Sequence, residues 1–295
     1  MTDQSTPDRR LAFTAALGAY TFWGLLPLYL KQVSFASPWE VLAQRVLWSV
    51  PAAILAVAFF GGFPATLKAL RTKGVLPALM LSAVLIAANW TIFVWAVANA
   101  RVIEGSLAYF ITPLLGVAIG VAFFEERLQG LQAAALGVGA IGVIVQGVAL
   151  GYIPWVSLAL AATWSAYGVV RKQAPVPAAG GLLVETLLLA PAAGVLMVIL
   201  LGQGPLAFQQ SSAHAAMLVA LGPFTAVPLI LFAIAARRLS FIALSLLQYI
   251  GPSLQLLTGL AFGEPFTPLR GLSFSLIWVG LALFTWASAR ARKTA

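Results

Sequence analysis

Long apolar runs alternate with short polar breaks from one end of the chain to the other. The runs fall at roughly 11–33, 38–60, 74–99, 103–124, 129–150, 152–171, 179–202, 213–236, 240–262 and 268–289. Each is close to the ~20 residues that an α-helix needs to cross the hydrocarbon core of a bilayer. They are rich in Gly and Ala and lack the two-residue alternation of barrel strands, so the pattern predicts helices and excludes a β-barrel. The first run is too long for a signal-peptide core and carries no small-residue cleavage site, which makes it a true span. The prediction is an all-α membrane protein of ten transmembrane helices.

Composition agrees and narrows the chemistry. Of the 295 residues, 61% are hydrophobic and 8% charged, with a mean hydropathy of +0.98. A soluble domain carries about 25% charged residues, and a chain this poor in them could not cover a globular surface. Ten spans use about 200 to 220 residues and leave no room for a soluble domain. The lack of cysteine removes disulfides, thiolate nucleophiles and Cys-zinc sites. His214 is the only histidine, too few for a histidine metal site. No GxSxG, HExxH, GxGxxG or Walker A pattern occurs, and the only aspartates, Asp3 and Asp8, precede the first run. No enzyme activity, cofactor or metal is therefore expected.

The net charge of +9 would suggest nucleic acid in a soluble protein. Here the placement of the charges matters more than their sum. Arg9, Arg10, Lys68, Arg71, Lys73, Arg127, Arg171, Lys172, Arg237, Arg238, Arg290, Arg292 and Lys293 fall on one side of the ten-span thread. The other side has only Lys31, Arg101 and Arg270, while Arg45 lies within a run. The positive-inside rule then puts both termini in the cytoplasm. The basic residues report topology, and the expected partners are a small-molecule substrate and the lipid bilayer, with no nucleic acid.

The two halves resemble each other. Trp23 precedes Lys31–Gln32 by the interval that separates Trp164 from Lys172–Gln173. Pro51–Ala52–Ala53 matches Pro191–Ala192–Ala193, and Ser106, Pro113, Gly120 and Glu125 match Ser245, Pro252, Gly259 and Glu264 at one offset of 139. Five spans per half is an odd number, so the second copy is expected upside down. Inverted-topology repeats are the signature of alternating-access transporters whose site lies near mid-membrane, where the repeats meet.

The segments AYTFWGLLPLYLK at 19–31 and WEVLAQRVLWS at 39–49 resemble the RarD branch of the drug/metabolite transporter superfamily, and the repeated unit resembles its EamA domain. The resemblance covers nearly the whole chain. It implies a tail at 1–10, a first EamA repeat at 11–150, an inverted second repeat at 151–290 and a tail at 291–295. It also implies export of small metabolites across a bacterial inner membrane. Relatives in the superfamily include exporters of aromatic and other amino acids, and the RarD name is tied to chloramphenicol.

Polar residues at helical spacing mark faces turned toward protein or water. Ser245, Gln248, Pro252, Gln255 and Gly259 form such a stripe in the ninth run, echoed by Ser106, Tyr109, Pro113, Gly116 and Gly120 in the fourth. Pro113 and Pro252 are expected to bend their helices. Trp23, Trp90, Trp164, Tyr109, Tyr167 and Tyr249 sit within runs rather than only at the interfacial belts and are candidates to line a cavity, with Asn89 and Gln44 as amide donors and acceptors. The alternative for each is helix–helix packing. Gly116–Gly120, Gly147–Gly151 and Gly259–Gly263 permit close helix approach inside one ten-helix chain, read as a monomer.

Two ionisable residues stand well inside runs. Arg45 has Glu40, Glu104 and Glu264 as possible partners near the outer side, and Glu185 has Arg171, Lys172, Arg237 and Arg238 near the inner side. Left in lipid each costs at least ~2.5–3.5 kcal/mol. Both are candidates for gating or coupling, against the plainer alternative of fixed ion pairs; Arg45 also suits recognition of a carboxylate. The expected function is a secondary transporter exporting amino acids, aromatic ones included, with efflux of a chloramphenicol-type drug as the alternative.

Overall fold

The computed structural model describes residues 6–60, 62–99, 101–148, 151–261 and 268–294. Asp3, Gly263 and Glu264 lie outside the described residues, as do the side chains of Arg9, Ser106, Arg270, Arg292 and Lys293. Among the described residues the structure is helical throughout, with no strand. The helices are α1 (Thr6–Gln32), α2 (Pro38–Phe59), α3 (Phe63–Leu70), α4 (Val75–Ala98), α5 (Val102–Phe124), α6 (Gly130–Val148), α7 (Trp155–Gln173), α8 (Ala178–Gln203), α9 (Ser212–Ala236), α10 (Phe241–Leu247), α11 (Ile250–Ala261) and α12 (Pro268–Thr294). A 3₁₀ turn spans Ala207–Gln209.

Every apolar run coincides with a helix, and the basic break at 61–73 holds the short α3. Eight helical segments are long and apolar enough to cross a membrane: α1, α2, α4, α5, α6, α8, α9, and Phe241–Thr258 across α10 and α11. α7, whose last turn carries Arg171 and Lys172, is not among them, and within α12 the described stretch Gly271–Ala287 is apolar.

Local chemistry sets the boundaries. Ser37, Ser211 and Ser240 each cap a helix by accepting the backbone N–H three residues on, at 3.1 Å in all three cases. The ninth run, expected as one bent helix, is instead divided at Gln248–Tyr249. Pro252 has no N–H to return to the Gln248 carbonyl, which accepts from Gly251 at 3.0 Å in a tighter turn. Pro113 removes the same bond in α5, yet α5 runs unbroken. The difference lies in the preceding residue: Gly251 is costly in a helix, whereas the Thr112 hydroxyl donates back to the Ala108 carbonyl at 2.6 Å.

The packing is inverted relative to a soluble protein. Phe59 is 85% exposed and Val198 71%, whereas Glu104 and Ser82 are fully buried and Glu185 is 1% exposed. Apolar side chains coat the outside and polar ones gather within, the arrangement a lipid solvent demands. One core cluster joins α1, α2, α4, α7, α8, α9 and α10; a second joins α5, α6, α11 and α12 around Leu107, Phe110, Tyr249 and Ile277.

Helix pairing follows a reciprocal scheme. α1 lies on α9 and α11, and α7 lies on α4 and α5; α2 packs on α8 and α9, and α8 packs on α2 and α4. α6 and α12 form the most extensive pair. Their axes approach closely because Gly142 and Gly280 carry no side chain: a Cβ on the first would crowd the Ser273 carbonyl, and one on the second the Ala135 carbonyl. Gly116 and Gly120 likewise receive Ser245 and Ile242 of α10, so this Gly pair serves internal packing. Gly147 and Gly151 face open space.

Candidate functional site

The polar side chains predicted within the spans sort into two assemblies and a set of helix ties. The first assembly centres on Arg45, the eighth residue of α2 and so about 10 Å along the helix from its start. Its Nε donates to the Thr225 hydroxyl of α9 at 3.1 Å. Its guanidinium lies 4.7 Å from the centre of the Trp90 ring of α4, a cation–π contact. Tyr109 of α5 lies close to it. Gln255 of α11 donates through Nε2 to the Trp23 carbonyl of α1 at 3.3 Å. Three helices thus meet at Arg45, with Tyr109 of α5 beside them.

Arg45 pairs with no carboxylate among the described residues, which corrects the expectation of an ion pair with Glu40 or Glu104; Glu264 lies outside them. Both acids bind elsewhere. The Glu40 carboxylate accepts from the Ala207 and Phe208 N–H groups at 3.1 and 2.9 Å. Glu104 accepts from Arg101 at 3.3 Å, from the Tyr152 hydroxyl at 3.2 Å and from the Val156 N–H at 3.3 Å. Arg45 is only half-buried, and no acceptor among the described residues binds its two Nη groups. Nearby, Trp23 and Trp164 meet edge to face at 4.9 Å, within an aromatic cluster with Tyr20, Tyr167 and Phe232.

The second assembly is closed. Glu185 of α8 accepts from Arg171 of α7 at 3.2 Å, from Ser82 of α4 at 2.5 Å and from Tyr167 at 3.3 Å. Arg171, 2% exposed, also donates to the Ala178 carbonyl at 2.9 Å. Gly181 makes room for it, since a Cβ there would overlap the guanidinium. Of the four cations offered as partners, Arg171 is therefore the one that meets Glu185. Lys172 instead donates to the Ala236 and Leu239 carbonyls at 3.2 and 2.5 Å. Arg237, beyond the end of α9, donates to the Val176 carbonyl at 2.6 Å. Burial, then the adjacent Arg238 and Arg171, push the Arg237 guanidinium below its usual range. At the same end the Glu126 carboxylate accepts from the first two N–H groups of α10, Phe241 at 2.5 Å and Ile242 at 2.9 Å.

Of the remaining predicted residues, Asn89 and Tyr249 tie helices together, while Gln44 and Ser245 bond within their own helices. Asn89 donates to the Leu160 carbonyl and the Thr163 hydroxyl of α7, both at 2.9 Å. Gln44 accepts from Trp48 one turn on at 2.8 Å. Ser245 bonds back to the Phe241 carbonyl at 2.7 Å. Tyr249 turns away from Arg45 and donates to the Phe110 carbonyl at 3.3 Å, and Gln248 sits half-buried at the break between α10 and α11. The sequence reading passed over Thr225 and Ser82. Thr225 had a signal, being the sole polar side chain between Met217 and Ala236.

A model of the EamA-like transporter family matches residues 10–147. An uncharacterized transporter of Pseudomonas aeruginosa is 40% identical over 97% of this chain and 98% of its own length. Protein RarD of Escherichia coli is 36% identical over 91% of this chain and 92% of its own. Chloramphenicol-sensitive protein RarD of Pseudomonas aeruginosa is 31% identical over 93% of each. A solved crystal structure superposes with a TM-score of 0.71 over 95% of this chain and 98% of that one; at 21% identity it bears on the fold alone. Apolar helices around a polar interior and relatives spanning nearly the full length lead to one conclusion: this multi-pass membrane protein belongs to the EamA-like transporters of the drug/metabolite transporter superfamily, among the RarD homologues.

Proposed function

We propose that the chain is a secondary transporter of the bacterial inner membrane that exports amino acids, aromatic ones included, by alternating access. In this reading ten spans form two inverted five-helix repeats with both termini in the cytoplasm. The reciprocal pairing supports it: exchanging α1, α2, α4, α5 and α6 for α7, α8, α9, α10–α11 and α12 maps each major helix contact onto another or onto itself. The aligned sequence pairs join the same helices, as Trp23 with Trp164 and Pro113 with Pro252.

The observation that carries the substrate side is Arg45. A half-buried guanidinium without a carboxylate partner among the described residues, set among Trp90, Tyr109 and Thr225 where the two halves meet, suits a small solute with an acid group and an apolar body. Glu185, with three donors and a fixed cation, is assigned to holding the inner ends of α4, α7 and α8 together. Uptake of radiolabelled amino acids into proteoliposomes containing the purified chain tests the reading. Accumulation of phenylalanine or tryptophan above empty liposomes is expected; no uptake of any aromatic or aliphatic amino acid overturns it. Efflux of a neutral aromatic drug is the second reading, favoured by the chloramphenicol phenotype in one relative's name. In the same liposomes it predicts chloramphenicol flux without amino-acid flux.

A further inference from the structure

An amino acid brings two charges, and the described residues around Arg45 offer a counter-charge for only one of them. The chain has eight acidic residues. Of those described within or beside the spans, Glu40, Glu104 and Glu126 cap backbone N–H groups and Glu185 is held by Arg171. Glu125 is exposed at the end of α5, and Asp8 opens α1. None is free beside Arg45. The face of Trp90, the obvious alternative seat for an ammonium, already carries the Arg45 guanidinium. The cation, by contrast, has its two Nη groups available as a fork, with Nε anchored to Thr225, and that fork matches a carboxylate in two parallel hydrogen bonds.

The sequence bears on why no built-in partner for Arg45 stands among the described residues. The interval of 141 residues that relates Trp23 to Trp164 and Lys31 to Lys172 relates Leu30 to Arg171. Where the second half supplies an opposite charge for Glu185, the first half supplies leucine for Arg45.

We infer that the Arg45 site reads the carboxylate of its substrate and not the ammonium, so that its substrate class is aromatic and apolar carboxylic acids, with amino acids admitted by their acid end. This rests on the transporter reading above and on Arg45 facing the solute. The test uses the full chain in nanodiscs and in proteoliposomes, with three radiolabelled probes: phenylalanine, 3-phenylpropionate and phenylalaninamide. 3-Phenylpropionate is expected to bind at least as tightly as phenylalanine, and the amide at least about ten-fold more weakly. Arg45→Lys should weaken both acids by about ten-fold while sparing the amide, because a point charge replaces the fork. An amide that binds as well as the acids overturns the inference, as does binding of none of the three. If Arg45→Lys does not fold, the wild-type probe series decides alone. The two readings fail separately: transport of phenylpropionate without any amino acid removes amino-acid export and keeps the inference. Transport of phenylalanine with equal competition by its amide does the reverse.

Discussion

Replacing Glu185 by glutamine tests whether the Arg171–Glu185 pair is a fixed latch. The change keeps shape and one acceptor oxygen, so the Ser82 bond can survive, but it removes the charge that faces Arg171 at 3.2 Å. Arg171 is 2% exposed, its Nε has no acceptor among the described residues, and its remaining bond is to the Ala178 carbonyl. Breaking a buried pair by removing one partner costs about 3–5 kcal/mol, since the other charge is left uncompensated. With two compensating bonds retained, the expectation is the lower end, about 3 kcal/mol. Arg171→Met should cost a similar amount, because the Glu185 carboxylate keeps Ser82 and Tyr167 but loses its cation.

The double variant Arg171→Met/Glu185→Leu distinguishes a latch from a general weakness of the region. Apolar replacement of both partners removes the desolvation cost along with the attraction, and such replacements are often neutral or stabilising. The double should therefore lie within about 1 kcal/mol of the parent, giving a coupling energy of several kcal/mol across the cycle. Unfolding by SDS titration in mixed micelles, followed by circular dichroism, measures all four proteins. Single variants that each cost below about 1 kcal/mol and add in the double would refute the reasoning. Flux under an imposed pH gradient supplies a second readout. A fixed latch leaves the gradient response of folded Glu185→Gln unchanged, whereas loss of the response would make Glu185 a coupling carboxylate.

Four further outcomes are expected. Gly222→Ala should cost ~2 kcal/mol or more in the same unfolding assay, because the added methyl meets the Trp48 backbone carbonyl where α9 crosses α2. Gly137→Ala, whose Cβ meets nothing within 4 Å, should stabilise by about 0.5–1 kcal/mol. Ser240→Ala and Glu126→Gln each remove acceptors from the first turn of α10, so each should cost about 1 kcal/mol and speed amide exchange at residues 241–243; unchanged exchange would count against the capping account. Trp90→Leu should destabilise the empty protein more than the protein bound to 3-phenylpropionate, and so tighten that binding, since a bound carboxylate takes over from the ring in balancing the Arg45 charge; equal destabilisation of both states would count against that role.

The spans were legible because a bilayer imposes a single long-range rule, about 20 apolar residues per crossing. The caps at Ser37, Ser211 and Ser240 depend on neighbours three residues away, a local signal that the sequence reading did not use. The break at Gln248–Tyr249 was half legible: Pro252 marked it, but Pro113 carried the same mark without breaking α5. Gly251 before one proline and Thr112 before the other decide the matter. The carboxylate partners were not legible. Glu40 and Glu104 were plausible mates for Arg45 by depth, yet each is captured by backbone N–H groups at a chain turn. Such turns present uncompensated donors whose positions depend on tertiary folding. Among the candidate aromatics, periodicity could not separate Trp90, which meets Arg45, from Tyr249, which faces the α5–α6–α12 interior.

The asymmetry between the halves bears on how a site of this kind can release its solute. The interval of 140 residues that relates Pro51 to Pro191 also relates Arg45 to Glu185, but among the described residues only Glu185 has a fixed partner. A guanidinium left in the membrane costs at least ~2.5–3.5 kcal/mol. A desolvated cation–π contact with Trp90 returns about 2 kcal/mol. The charge-assisted bond to Thr225 returns about 1.5 kcal/mol more. These terms nearly cancel, so the empty site is tolerable and the fold does not depend on occupancy. A resident glutamate in place of Leu30 would bind more tightly than any solute and would close the fork permanently, as Arg171 does for Glu185. The free site needs a partner that can leave, and a solute carboxylate meets that requirement where a tethered side chain cannot.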